Sequence, residues 1–134
     1  MDAEALRALA PLAGVSDAGL ARVQACAAEL DAEQGLVIAM SGDPGSGMYI
    51  LLEGTVAVEL RAGTLELGPG DFFGELALLV DDGARVARVR ATSPVRCLSL
   101  PREDFLALVE TEPSFALHLL RELARRLTEA RSTA

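Results

Sequence analysis

Glu75 and Arg85 stand ten positions apart, the first in a Phe73-Gly74-Glu75-Leu76-Ala77-Leu78 turn, the second opening an Arg85-Val86-Ala87-Arg88-Val89-Arg90-Ala91 strand pattern. A glycine in such a turn lets backbone approach a ligand closely. If Leu76 to Val80 makes a helical turn, its unpaired N-terminal amides suit an anion, and an arginine returning from the other side supplies a forked charge partner. A carboxylate is a poor neighbour for phosphate, so Glu75 is better matched to sugar hydroxyls, from which it can only accept. The chemistry these types fit is recognition of a ribose and a phosphate together. Taken alone, Glu75 reads more readily as a carboxylate bonded to nearby turn amides, and Arg85 as a solvated charge at a strand end. The flanking residues separate the two readings.

Those flanking residues form an ordered series. Ser41-Gly42-Asp43-Pro44-Gly45 precedes Met48-Tyr49-Ile50-Leu51-Leu52-Glu53-Gly54 and Val56-Ala57-Val58, and Leu67-Gly68-Pro69-Gly70-Asp71-Phe72-Phe73-Gly74-Glu75 leads into the turn. The series resembles the cyclic nucleotide-binding domain family of catabolite activator proteins, kinase regulatory subunits and nucleotide-gated channels. It covers the chain from about Ala10 to the last helix, and residues 73–91 are similar to the family's phosphate-binding cassette. The resemblance implies that Glu75 takes the ribose 2′-hydroxyl and Arg85 an equatorial phosphate oxygen. Gly74 and the backbone amides of Leu76 and Ala77 would complete the cradle. Two positions depart from the pattern. Val86 stands where many members carry serine or threonine, removing a hydroxyl donor, so cyclic GMP should lose more than cyclic AMP. Arg88 replaces a small or aromatic residue. In a regular strand positions 86, 88 and 90 share one face, expected to be the solvent side, with Arg85, Ala87 and Val89 inward.

Composition bounds the alternatives. A chain of 134 residues makes one domain with a real core. A formal charge of −8 argues against direct nucleic-acid binding, which requires a basic face. No stretch is apolar for long enough to cross a bilayer, and the acidic Met1-Asp2-Ala3-Glu4 start lacks the basic region of a secretory signal, so the expectation is a cytoplasmic protein without membrane insertion. Every basic residue except the lone His118 is arginine, a bias that by itself carries no function. Cys26 and Cys97 lack metal-ligand spacing and are expected to be buried thiols. His118 has no second histidine or nearby cysteine with which to bind a metal, and reads as a helix-surface or partly packed side chain. Neither a metal nor a cofactor is expected, and the one ligand is cyclic AMP or, second, cyclic GMP.

Three regions follow one another within this single domain, residues 1–134. Residues 1–30 carry helical spacing, with Ser16 as an N-cap before Leu20, Val23, Ala27 and Leu30 on one face. Residues 35–100 are short Val, Ile and Leu runs punctuated by glycine turns at 42, 45, 54, 68 and 70, the pattern of a mainly β jelly-roll barrel. Residues 101–134 return to helical spacing: first Arg102 to Glu110, then, after Glu112-Pro113-Ser114, a helix with Phe115, Leu119, Leu120, Leu123 and Leu127 on one face and Arg121, Arg125 and Arg131 outside.

This last helix resembles the family's lid, which in bacterial relatives closes over the base and in dimeric regulators forms the subunit seam. The resemblance implies a homodimer or an effector contact through it. Arg126 matches a position that reaches the purine or the cassette glutamate, and also sits four residues after Glu122, where a solvated i,i+4 pair is the plainer reading. The leading expectation is a sensory binding module, not an enzyme. The second is the sensor fragment of a larger transcription regulator or channel, whose helix-turn-helix or membrane segment would lie outside this sequence. The cassette could also be a degenerate scaffold, against which Glu75 and Arg85 both speak. A cupin-type metalloenzyme would need clustered histidines, and the chain has one.

Overall fold

The computed structural model describes residues 1–39, 47–60, 63–75 and 88–133, with side chains through Glu129. Two short helical pieces begin the chain: α1 (Ala3–Arg7), capped by Asp2, which accepts from the Ala5 amide at 2.7 Å, and a 3-10 turn at Ala10–Leu12. Helix α2 (Asp17–Cys26) follows, with Ser16 as its N-cap as expected: the hydroxyl oxygen accepts from the Gly19 amide at 3.1 Å. The strands are β1 (Ala28–Ala32), β2 (Val37–Ala39), β3 (Gly47–Glu53), β4 (Val56–Leu60), β5 (Gly63–Leu67), β6 (Phe72–Phe73), β7 (Arg88–Ala91) and β8 (Val95–Pro101). Helices α3 (Arg102–Thr111) and α4 (Pro113–Thr133) complete the chain. Among the described residues no helix is long and apolar enough to cross a membrane.

The strands form two four-stranded antiparallel sheets, ordered β1-β8-β3-β6 and β2-β7-β4-β5. This is the expected mainly β jelly roll with flanking helices, although among the described residues the sheets are not joined into a closed barrel. Alternation along β3, β6 and β8 divides the interior into two cores. Met48, Ile50, Phe72, Leu98 and Leu100 face the helices and pack with Leu12, Leu20, Phe105, Phe115 and Leu119. Leu51, Phe73, Val95 and Cys97 face the other way and meet Val56, Val58, Leu67 and Val89 of the second sheet. The first sheet is therefore covered on both faces, and β6 contributes one phenylalanine to each core.

One boundary differs from the expectation. The helical segment ends at Cys26 rather than near position 30, and the strand region begins at Ala28 rather than 35. Ala27 leaves the helix with extended backbone (φ −73°, ψ 144°), and Leu30 then pairs with Cys97 in an antiparallel ladder. The spacing from Leu20 to Leu30 suited a helical face, but the ladder gives the backbone groups of this stretch partners on β8 and places Leu30 against the inter-sheet core.

On β7 the face assignment holds where it is described: Val89 is buried, while Arg88 and Arg90 lie on the outer side and both reach Glu59, at 2.7 and 3.4 Å. The hydrogen bond from Arg88, more than any other influence, holds the Glu59 carboxyl below its ordinary range. Cys97 is buried as expected, and burial pushes its thiol up to about 11. Cys26 is only half-buried.

Of the expected glycine turns, that at Gly54 is the most constrained. Its φ is +87°, and a Cβ there would lie 2.2 Å from the Pro94 carbonyl oxygen. Gly54→Ala is expected to destabilise the fold by more than about 1 kcal/mol, from conformational strain alone and before any clash. A urea unfolding midpoint equal to that of the parent would refute this. Gly68 also forms its expected turn, but from outside the left-handed region. It serves its turn through its amide, which donates to the Asp71 carboxylate at 2.9 Å. Glycines 42 and 45 lie outside the described residues.

Candidate functional site

The turn after β6 is where the singled-out chemistry meets the fold. Gly68 to Asp71 folds back on β3: the Gly70 amide donates to the Leu51 carbonyl and the Leu51 amide to the Asp71 carbonyl, both at 2.8 Å. This delivers Phe72 opposite Ile50 and Phe73 opposite Tyr49. Phe73 stacks on Tyr49 with ring centroids 5.0 Å apart and planes 19° apart. Both phenylalanines are thereby fixed, and the chain leaves them through Gly74 at φ +92°. A side chain at 74 would resist that conformation, so the glycine is what allows the chain to turn sharply enough to direct Glu75 inward.

Glu75 is only 2% exposed. Arg126 from α4, itself 8% exposed, reaches it with Nη1 3.4 Å from Oε1. The same guanidinium donates through Nη2 to the Phe72 carbonyl at 2.5 Å and lies 4.3 Å above the Phe72 ring centroid. Its Nε stands 4.0 Å from the Glu122 carboxylate. Of the two readings of Arg126, the structure places its guanidinium against Glu75. The i,i+4 ion pair with Glu122 forms as well, with a buried rather than a solvated arginine, and Glu122 also accepts a hydrogen bond from Arg125. That hydrogen bond is the main reason the Glu122 carboxyl sits below its ordinary range. His118, two turns before Arg126, is half-buried with its ring tilted against Phe72 at 5.9 Å, in keeping with a partly packed side chain.

Leu76, Ala77, Arg85 and Val86 lie outside the described residues, so the structure brings together Gly74, Glu75 and Arg126 of the expected set. It adds Phe72, whose ring and carbonyl both hold the arginine. A sequence signal for this existed in the spacing of His118, Glu122 and Arg126 at intervals of four, which puts all three on one side of a helix.

That side is also where the expected apolar face of α4 needs correction. Phe115 and Leu119 are buried and Leu123 partly so, but Leu120 and Leu127 are 65% and 59% exposed. At about 100° per residue, the line from Phe115 through Leu119 and Leu123 continues to Arg126, which occupies the seat on the body expected for Leu127. Arg121 and Arg125 are exposed as expected, and the Arg131 side chain lies outside the described ones.

A buried carboxylate after a glycine turn, covered by an arginine from the closing helix of a jelly roll, can be compared with known proteins. Residues 29–112 match the model of the family described as the cyclic nucleotide-binding domain. The chain belongs to this family. It is 42% identical over 103 residues to the cyclic AMP receptor protein of Thermus thermophilus, covering 72% of this chain and 47% of that protein. It is 43% identical over 82 residues to a cyclic nucleotide-gated potassium channel of Mesorhizobium japonicum, covering 61% of this chain and 22% of the channel. The crystal structure of the Thermus thermophilus catabolite activator protein superposes with a TM-score of 0.72 at 35% identity, over 90% of this chain and 59% of that one. The chain thus spans less than two thirds of each of these relatives' length.

Proposed function

We propose that this chain is a regulatory sensor domain that binds a cyclic nucleotide, cyclic AMP in preference to cyclic GMP, and reports occupancy through α4. The observation that carries the reading is the buried Glu75 beneath Arg126. A carboxylate held there offers acceptors to vicinal sugar hydroxyls, and Gly74 allows the close backbone approach. Arg85 is the proposed partner of the phosphate, with the amides of Leu76 and Ala77 beside it. Sugar hydroxyls and the Arg126 guanidinium seek the same carboxylate. Occupancy therefore changes what holds the cassette end of α4, and a helix whose seat differs between two states reports the ligand. The role is regulatory rather than enzymatic, and the working compartment is the cytoplasm.

The partner proposed for α4 is a second copy of this chain. Leu117, Leu120 and Leu127 are exposed, and with Ala124 they recur at intervals of three and four, the spacing of a two-helix seam. The lengths of the relatives favour a second reading, in which the same sensor acts within a longer regulator or channel and α4 passes its movement to that assembly.

Calorimetric titration with cyclic AMP, cyclic GMP and their linear 5′-monophosphates tests the ligand. The Val86 side chain has no hydroxyl to offer, so cyclic AMP should win by about 1 kcal/mol, the net worth of one hydrogen bond, and Val86→Thr should narrow the gap. Equal or reversed affinities would defeat the preference, and no binding of either cyclic nucleotide would defeat the sensor reading. Hydrogen exchange tests the readout: nucleotide should protect residues 114–127 as well as 74–91, and protection confined to the latter would make α4 a fixed support.

A further inference from the structure

Arg88 is the departure from the family pattern that the proposed function leaves without a role, and the structure gives it a partner. It stands directly opposite Glu59 in the β4–β7 ladder, and its Nη2 donates to Glu59 Oε2 at 2.7 Å. Arg90, two residues on and on the same outer face, donates through Nε to Glu59 Oε1 at 3.4 Å. One carboxylate thus serves two arginines. Without it, two like charges about 7 Å apart along the strand would stand side by side uncompensated.

The two partners are anchored unequally. β4 is paired on both sides, with Glu59 opposite Thr64 of β5 as well as Arg88 of β7. β7 is held less evenly. On its other side Val37 opposes Arg90 and Ala39 opposes Val89, so the β2 ladder slips by one residue across Ile38. Such a bulge interrupts the regular bonding and bends the strand that carries it. The regular hold on Arg88 therefore comes from β4, and Glu59 adds a side-chain tie at that same point. Followed backwards from Arg88, the chain reaches Arg85 in three residues, a span of about 10 Å at most. Fixing Arg88 restricts where Arg85 can place its guanidinium, and a two-pronged contact to phosphate depends on that placement.

We propose that Glu59, through Arg88, is a positioning residue for the phosphate arginine, acting from the outer face of the second sheet. This rests on the sensor reading, in which Arg85 is the partner of the phosphate. The simpler role is a surface ion pair, its side chains 46% and 28% exposed, which adds little to stability and nothing to affinity. The charge of Glu59 alone predicts the opposite sign. Removing a carboxylate from a chain of formal charge −8 favours an anionic ligand, whereas releasing Arg88 disfavours it.

A double-mutant cycle separates these accounts: cyclic AMP is titrated calorimetrically into the parent chain, Glu59→Gln, Arg85→Ala and the two combined, each shown by urea unfolding to be folded. Glu59→Gln should raise the Kd about threefold or more in the parent. In the Arg85→Ala background it should weaken binding no further, because no fork is left to place. The inference is overturned if Glu59→Gln binds as the parent does or more tightly, or if it weakens binding equally in both backgrounds. Should Glu59→Gln not fold, Arg88→Gln removes the other half of the tie and enters the same cycle. No loss of affinity, or a loss equal in both backgrounds, is then the overturning result. A parent that binds no cyclic nucleotide, or an Arg85→Ala variant that binds as the parent does, is a different failure. It overturns the sensor reading itself, and the role of Glu59 falls with it.

Discussion

Replacing Arg85 by alanine is expected to weaken cyclic AMP binding about a hundredfold, the loss of roughly 3 kcal/mol that a charge-assisted, two-pronged contact to phosphate represents. The size of the effect follows from the company the arginine keeps. The chain carries a formal charge of −8, so an anionic ligand meets a repulsive field everywhere that a local cation does not overcome it. On the proposed roles, Glu75 would add to that repulsion near the sugar, which would leave the phosphate dependent on Arg85 and on backbone amides. Arg85→Lys should recover little, about tenfold at most, because an ammonium is a point charge without the fork that matches two oxygens. Calorimetry gives the affinities, and thermal unfolding of each variant shows that the fold survives. Should either variant bind cyclic AMP as the parent does, the assignment of the cassette roles to these residues is wrong.

The elements that hold this site differ in how openly the sequence declares them. The Phe73-Gly74-Glu75 turn is legible because a glycine between an apolar pair and a carboxylate has few structural uses, and the structure gives Gly74 a left-handed conformation that turns the chain there. Ser16 is legible as a cap for a local reason, since its partner amide at Gly19 lies three residues away. What is not local is hidden. Nothing near Ser16 shows that its other partner is Glu112, and although helical spacing sets Arg126 on the line through Phe115 and Leu119, it does not show that Glu75 and Phe72 meet it there. Leu30 misleads for the opposite reason. Its spacing fits a helix well, but the cross-strand pairing with Cys97 that decides its structure involves a residue 67 positions away. Local propensity yields there to a long-range ladder, as it commonly does at the junction of a helix and a sheet.

Phe72 joins the local and the long-range parts of the site, and its replacement should separate them. Phe72 and Phe105 are both fully buried in the helix-facing core, so Phe72→Ala and Phe105→Ala should each cost about 3–5 kcal/mol in urea unfolding. A domain of this size, starting from about 5–15 kcal/mol, can bear such a loss and remain folded. The two variants should nevertheless differ in α4. Phe105 meets Phe115 edge-on near the start of that helix, whereas Phe72 supports its far end through the ring beneath Arg126. A desolvated cation–π contact is worth up to about 2 kcal/mol, and Phe72→Ala removes it together with the packing against His118. Exchange at 118–127 should therefore accelerate more in Phe72→Ala than in Phe105→Ala at equal global stability. Phe72→Leu and Phe105→Leu, which keep most of the volume, should show the same contrast with a smaller loss of stability. If the two positions affect that segment alike, Arg126 is held by α4 and Glu75 without help from the ring, and Phe72 is a core residue only.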